Sequence, residues 1–447
     1  MDFDLRYRQV ARVTVEALTP ICVGSGESTI DTDSEVALDI NGLPYIPGTA
    51  LAGVLRHAMG EADSKSDLFG YQDKDKGLGS RLIVSEARMV GSDGIAVDGM
   101  IGDKDAFLEH YGNLPIRQHV RIDGNGVAAD TGKFDGKVVF KGTRFVFEIE
   151  LKQDARDDAE LRSILDQLKR SELRFGGGTR NGFGKVDVKA CAYRVYDLED
   201  AADLKDYIEK SSSLADGLKG GEEYEFNTVG GTATVYELTL RPDDFFLFGA
   251  GHGNEEADMI PVKESVVEWG NDGKPTFREN LTLLPATSLK GALRHRTLYH
   301  LNRKRGIFAD MGGELSEKDV EPLFGYAGPN NDGTATRGKV LLSDIFAALD
   351  TEKYANHVAV DRFTGGTIGG ALFTELMTDG RGREFKTEIC LTESVDNDLQ
   401  EALEQALTDI CTGSLPLGGG VNRGNGCFTG TLTRDGKLIY PQQKQED

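Results

Sequence analysis

No stretch of the chain approaches the roughly 18 consecutive apolar residues that a membrane-spanning helix requires, so no membrane partner is expected. The first residues, Met1-Asp2-Phe3-Asp4-Leu5-Arg6, lack the basic-then-apolar order of a secretory signal. A cytoplasmic location follows as the expectation. Cysteine is sparse: Cys22, Cys191, Cys390, Cys411 and Cys427 form no C-x-x-C and no Cys/His cluster, which speaks against a zinc site and for buried, reduced thiols. Positive charge is short as well, with 51 Lys and Arg against 74 Asp and Glu and a net charge of −23. A protein that coats nucleic acid through a broad basic surface is thereby excluded. Any contact with phosphates must be local, and the acidic remainder suits solubility or basic partner subunits.

What the chain has is length and repetition. Its 447 residues, 39% hydrophobic and 28% charged, suit a soluble protein of two domains. Residues 47–57 read PGTALAGVLRH and residues 285–295 read PATSLKGALRH, identical at seven of eleven positions without a gap. Four further blocks recur in the same order. Leu68-Phe69-Gly70-Tyr71 returns as Leu323-Phe324-Gly325-Tyr326, and the block from Arg81 to Glu86 returns as Lys339 to Asp344. His119-Val120-Arg121-Ile122-Asp123 matches His357-Val358-Ala359-Val360-Asp361, and Gly176 to Gly184 matches Gly418 to Gly426. Chance similarity does not preserve the order of five blocks, so the chain is a tandem duplication.

Module one is placed at 1–195 and module two at 233–435. The stretch 196–232, with Ser211-Ser212-Ser213 and Gly220-Gly221, reads as a linker, and 436–447 as a disordered tail. Alternating apolar residues predict an opening strand in each module, at Val10–Leu18 and Tyr236–Leu240. A helix follows each Pro-x-Thr, where Thr49 or Thr287 can cap the free amides. Phe145–Leu151 predicts a later strand, and Ala159–Leu168 and Glu401–Ile410 predict amphipathic helices. This order fits an α+β chain of two tandem ferredoxin-like modules with long insertions.

The chemistry-bearing positions sit in the repeated blocks. Lys290 and Arg294 lie one helical turn apart and share a face that can meet phosphates, whereas the first copy keeps Arg56 but has Ala52 in place of Lys290. The ordinary explanation of such a face is a solvated basic stripe. His57 and His295 end the same block, and a lone histidine is more often structural than catalytic. The glycines Gly176, Gly177 and Gly178, and likewise Gly418, Gly419 and Gly420, let backbone amides approach an anion; Arg180 and Arg423 add guanidinium donors. A tight turn is the usual role of such glycines. Neither segment ends in the Gly-Lys-Ser/Thr of a phosphate-binding P-loop, which excludes that class of NTPase.

Taken together, the Pro-x-(Ser/Thr) helix ending in Arg-His, the Leu-Phe-Gly block, the His-Val-x-x-Asp segment and the terminal glycine-rich turn resemble the RAMP superfamily, in particular the backbone subunits of type III CRISPR effector complexes. The fused pair resembles the multi-module proteins of subtype III-D. The resemblance implies a modified RNA-recognition-motif fold in each module, with β-hairpin thumbs at 115–142 and 355–385. The partners it implies are guide RNA, single-stranded target RNA and other effector subunits. It also carries RNA contacts onto Arg56, His57, Lys290, Arg294, His295, Arg296, His119, Arg121, His357, Arg362, Arg180, Arg423 and the two glycine triplets. An aspartate between the first strand and the Pro-x-Thr helix is implied to cleave target RNA with Mg2+ or Mn2+. That aspartate is Asp33 in the first copy, with Asp31 as alternative and Asp39 at the later acidic position, and Asp258 in the second, with Glu256 competing. Two other readings stay open. One is a scaffold without catalysis, and the other a metal-independent guide-processing endoribonuclease using His57 or His295 as general acid or base.

Overall fold

A computed structural model describes residues 5–30, 32–61, 66–74, 76–122, 128–227, 231, 233–307, 317–326 and 335–441. The alternation read at the start of module one produces the strand Tyr7–Ala17, whose Val13, Val15 and Ala17 enter the core. It pairs antiparallel with Arg144–Gln153 on one side and Val186–Asp197 on the other, and Leu82–Val84 continues the sheet beyond Arg144–Gln153. Counted along the chain, the four core strands are therefore ordered fourth, first, third, second. Module two repeats this order with Phe428–Arg434, Thr234–Pro242, Phe385–Leu391 and Val340–Leu341.

Two helices per module close each sheet. Leu51 and Leu55 of Gly48–Ala58 and Leu161, Ile164 and Leu165 of Ala159–Asp166 meet in one core, each contributing about 2 kcal/mol of burial free energy. Ala286–Arg305 and Asn397–Cys411 do the same in the second core through Leu289, Leu293, Leu403, Leu407 and Ile410. Capping differs from expectation. Both first helices begin directly after Pro47 or Pro285 without a side-chain cap, and Thr49 and Thr287 fall at the second helical position. In module two the amide of Ala286 is instead satisfied by Asp344 Oδ1 at 2.7 Å, a partner from the far end of another repeated block.

Each module carries a long hairpin outside its core sheet, Ile116–Ile122 with Ala128–Lys137 and Glu352–Val360 with Thr367–Asp379. A further hairpin, Lys263–Trp269 with Pro275–Leu284, has no counterpart of that length among the described residues of module one, where Leu38 bridges Pro44 across a short turn.

Two boundaries are corrected. The expected linker 196–232 folds back on module one: the strand Val186–Asp197 runs into it, Ala201–Ile208 is helical, and Leu214, Leu218 and Tyr224 are buried. Its small residues serve close approach, because the buried guanidinium of Arg12 donates to the carbonyls of Ser211, Ser213 and Asp216. The expected tail contains the strand Lys437–Tyr440, paired with Phe428–Arg434, since that edge strand offers unpaired backbone groups. Only 442–447 of it lie outside the described residues.

The modules share an extensive seam. Val267 enters the core of module one, its amide donates to the carbonyl of Lys141 at 2.8 Å, and Trp269 Nε1 donates to the carbonyl of Gly142 at 2.8 Å. A Cβ on Gly142 would lie 1.9 Å from the Val267 carbonyl oxygen, so only glycine permits this approach. Phe277 packs among Phe107, Tyr111 and Phe140. Arg117 of module one is buried between Glu264, at 2.5 Å, and Asp344, at 3.1 Å, of module two. Burial raises the Asp344 carboxyl above its ordinary range, an effect that Arg117 opposes.

Candidate nucleic-acid interface

The seam gathers cations that the sequence distributes over both modules. The glycine-rich turn of module one lies against Val340–Leu341 and against the long helix Ala286–Arg305 of module two. From that turn Arg180 Nε donates to the carbonyl of Gly338 at 2.6 Å. Lys290 projects from the helix toward the same place, where burial and then the charges of Arg294 and Arg180 depress its pKa to about 8. Burial, then Arg337 and Arg174, depress that of Arg180 to about 10. Arg337 in turn meets His57 Nε2 at 3.3 Å, which brings the end of the first module's helix to the cluster. Arg294 Nη1 donates to the carbonyl of Gly325 at 2.8 Å.

The described carboxylates that act on Arg174 and Arg180 are already engaged. Glu388 pairs with Lys185, Glu172 with Arg170 and Glu393 with Lys339. Among the described residues neither Arg180 nor Lys290 has a carboxylate partner. In a chain of net charge −23 this is a local cluster of positive charge on the seam.

Other expected contacts sit elsewhere. Arg296 is held by Asp409, which also meets the buried His300 at 2.6 Å, so its charge ties two helices of module two together. Arg423 is held by the buried Glu375, which His357 also approaches at 2.9 Å. His295 is exposed on the helix, and Arg56 Nε donates to the carbonyl of Glu61 at 3.0 Å. Arg121 is exposed on the module-one hairpin, and Arg362 lies over the Phe363 ring at the end of the module-two hairpin. In each glycine triplet the middle amide is engaged within its own module. Gly177 N donates to the Cys22 carbonyl at 2.6 Å and Gly419 N to the Leu247 carbonyl at 2.7 Å. Gly176 and Gly418 instead allow the strand approach, since a Cβ would come within 2.4 Å and 2.6 Å of those same oxygens.

At the base of each hairpin the two aspartates occupy matching positions. Asp33 Oδ2 accepts from the amide of Asp135 at 3.0 Å, and Asp258 Oδ2 accepts from the amide of Thr374 at 2.8 Å. Asp135 follows Phe134, which stacks on His119; Thr374 follows Phe373, which stacks on His357. The same backbone point of the outgoing hairpin strand thus receives each carboxylate. Burial, together with Arg117, depresses the His119 pKa to about 4, leaving a neutral imidazole at pH 7. Asp39 belongs to a separate arrangement, where Arg88 bridges it and Glu86. Glu256 accepts from the Tyr354 hydroxyl, and Asp31 lies outside the described residues. Among the described residues no three Asp, Glu, His or Cys side chains converge as a metal would require.

Comparison with known families decides the wider identity. The sequence model of the RAMP superfamily matches residues 14–187 and 271–429, more than half of the chain and both modules. The chain belongs to the RAMP superfamily. No curated protein matches it. Within this RAMP chain no described helix is long and apolar enough to cross a membrane. The five cysteines are free thiols, with Cys191, Cys390 and Cys411 buried.

Sequence reading missed Arg117, Arg174 and Arg337. A search for recurring residues cannot find them, because where the blocks align Arg117 faces Ala355 and Arg337 faces Gly79. The same holds for two residues it did find, since Lys290 faces Ala52 and Arg180 faces Asn422. Arg294, by contrast, aligns with Arg56, so the seam cluster combines a shared arginine with cations that one copy lacks.

Proposed function

We propose that this RAMP protein is a CRISPR-associated RNA-binding subunit of the type III backbone kind, gripping guide RNA along two ferredoxin-like modules. The strand order fourth, first, third, second with two helices on one face supports that fold for each module. The two long hairpins are the thumbs of this reading. One observation carries it: Arg180 and Lys290 converge from different modules without a carboxylate partner among the described residues. A charge held that way in a partly dry seam is suited to a phosphodiester. Base pairing to the guide would supply sequence recognition, with the protein contacting backbone and shape.

In this reading target RNA paired to the guide is cut beside each hairpin, at Asp33 and Asp258. Each aspartate keeps Oδ1 for a ribose hydroxyl while Oδ2 holds the backbone amide of the hairpin strand. Such a carboxylate can orient a 2′-hydroxyl for attack on the adjacent phosphate. The alternative is an RNA-binding scaffold that does not cut. The two separate in one experiment with full-length chain, guide RNA and complementary target. Replacing both aspartates, Asp33→Ala with Asp258→Ala, abolishes cutting and leaves RNA affinity unchanged if both are cleavage positions. Target cleavage that the parent chain and its copurified complex never show leaves the scaffold, and cleavage that persists in the double variant places the cutting away from both aspartates.

A further inference from the structure

The geometry points to an oxyanion site at the seam that locks the two modules together when a phosphate group fills it. Its walls come from both modules: Arg180 from the turn of module one, Lys290 from the helix of module two, and Arg337 at the solvent side, with His57 behind it. Arg174, 6% exposed, lies deeper, and its Nε has no hydrogen-bond partner among the described residues. Phosphate fits this site by chemistry. A tetrahedral oxyanion accepts from several planar guanidinium donors and an ammonium at once, whereas the neighbouring carboxylates are engaged by Lys185, Arg170 and Lys339.

Like charges brought together away from water oppose the docking that buries them, so the modules meet at a cost that an anion removes. The lowered pKa values of Lys290 and Arg180 agree with that cost. Any ligand that binds only the docked arrangement stabilises it by mass action. The equivalent positions of the opposite copies do not repeat the site, because its cations align there with Ala52, Asn422 and Gly79. The proposal rests on the RNA reading only for the natural source of the phosphate, and its test keeps the two apart.

The test is thermal unfolding of the full chain at fixed ionic strength, with chloride, with millimolar pyrophosphate, and with a single-stranded RNA oligonucleotide. Pyrophosphate raises Tm progressively with its concentration, and RNA does so at lower concentration. Lys290→Met keeps the length of the side chain but not its charge. It is expected to raise Tm in chloride and to remove most of the shift caused by pyrophosphate, and Arg337→Met is expected to weaken apparent pyrophosphate affinity by about tenfold. A lysine that merely packs gives the opposite sign in chloride, a loss of Tm. The proposal is overturned if Lys290→Met lowers Tm in chloride, or if pyrophosphate shifts parent and variant equally. Stabilisation by RNA but not by pyrophosphate also overturns it, while leaving RNA binding elsewhere on the chain intact.

Discussion

The two modules neutralise the same pair of carboxylates in different ways. In module one Asp39 and Glu86 are bridged by Arg88 of the same module, on a side that remains partly open to solvent. In module two the matching pair, Glu264 and Asp344, is bridged by Arg117, which arrives from module one and is 5% exposed. Ile83 and Leu341 occupy matching block positions too, yet Ile83 is 45% exposed and Leu341 0%. Duplication supplied two equivalent faces, and divergence committed one of them to the partner module. The seam is consequently a built interface, and the cations on it are part of its construction.

The largest effect separates the two arginines. Arg117→Ala leaves two buried carboxylates unpaired and is expected to lower stability by ~3–5 kcal/mol, whereas Arg88→Ala, with a half-buried and solvent-screened arginine, costs ~1 kcal/mol or less. Urea unfolding of the two variants measures both, and equal losses would break the distinction between faces. Next comes the pair of turn arginines. Arg423→Ala is expected to cost ~3 kcal/mol of stability by stranding the buried Glu375 while scarcely changing RNA affinity. Arg180→Ala is expected to weaken RNA by about tenfold with a smaller stability loss. Filter binding beside thermal unfolding tells them apart.

A pH series sharpens the comparison further. Lys290 faces Arg294 on its own helix and Arg180 across the seam, with Arg337 and His57 beyond. Its folded pKa, about 8, lies below the ordinary lysine value, so the folded chain releases this proton before the unfolded chain does. Below pH 8 both states carry the charge and the folded state bears the penalty. Between pH 8 and the ordinary lysine pKa the unfolded state binds more protons, so stability rises with pH. The difference in unfolding free energy between parent chain and Lys290→Met should therefore narrow over that interval, and a constant difference would place Lys290 in water. The smallest effect is expected at the hairpin base. Asp135→Thr makes module one resemble module two there and removes the side-chain acceptor of the Asp33 amide, costing ~0.5–1 kcal/mol.

Much of the fold was legible because repetition marks what both copies need. The strand Tyr7–Ala17, the helices after Pro47 and Pro285 and the glycine-rich turns follow from alternation, helical spacing and close backbone approach. The matching placement of Asp33 and Asp258 was likewise reachable from loop position. The segment 196–232 was misread because its serines and glycines suit a flexible connector as well as a chain whose carbonyls must reach Arg12. The glycine triplets were read as amide donors, but donors cannot be assigned without knowing which carbonyl lies opposite. Arg117 and Arg337 were invisible for the converse reason, since only the folded chain shows that unlike positions of the two copies face each other.

In the proposed function, single-stranded RNA is held by cations that only the joined modules bring together. The most direct measurement is RNA affinity of the full chain against salt concentration, for the parent and for Arg180→Met with Lys290→Met. Two lost phosphate contacts should flatten the slope of log affinity against log salt by about 1.4, with binding weakened at every salt concentration. An unchanged slope and affinity in a folded double variant would contradict the claim.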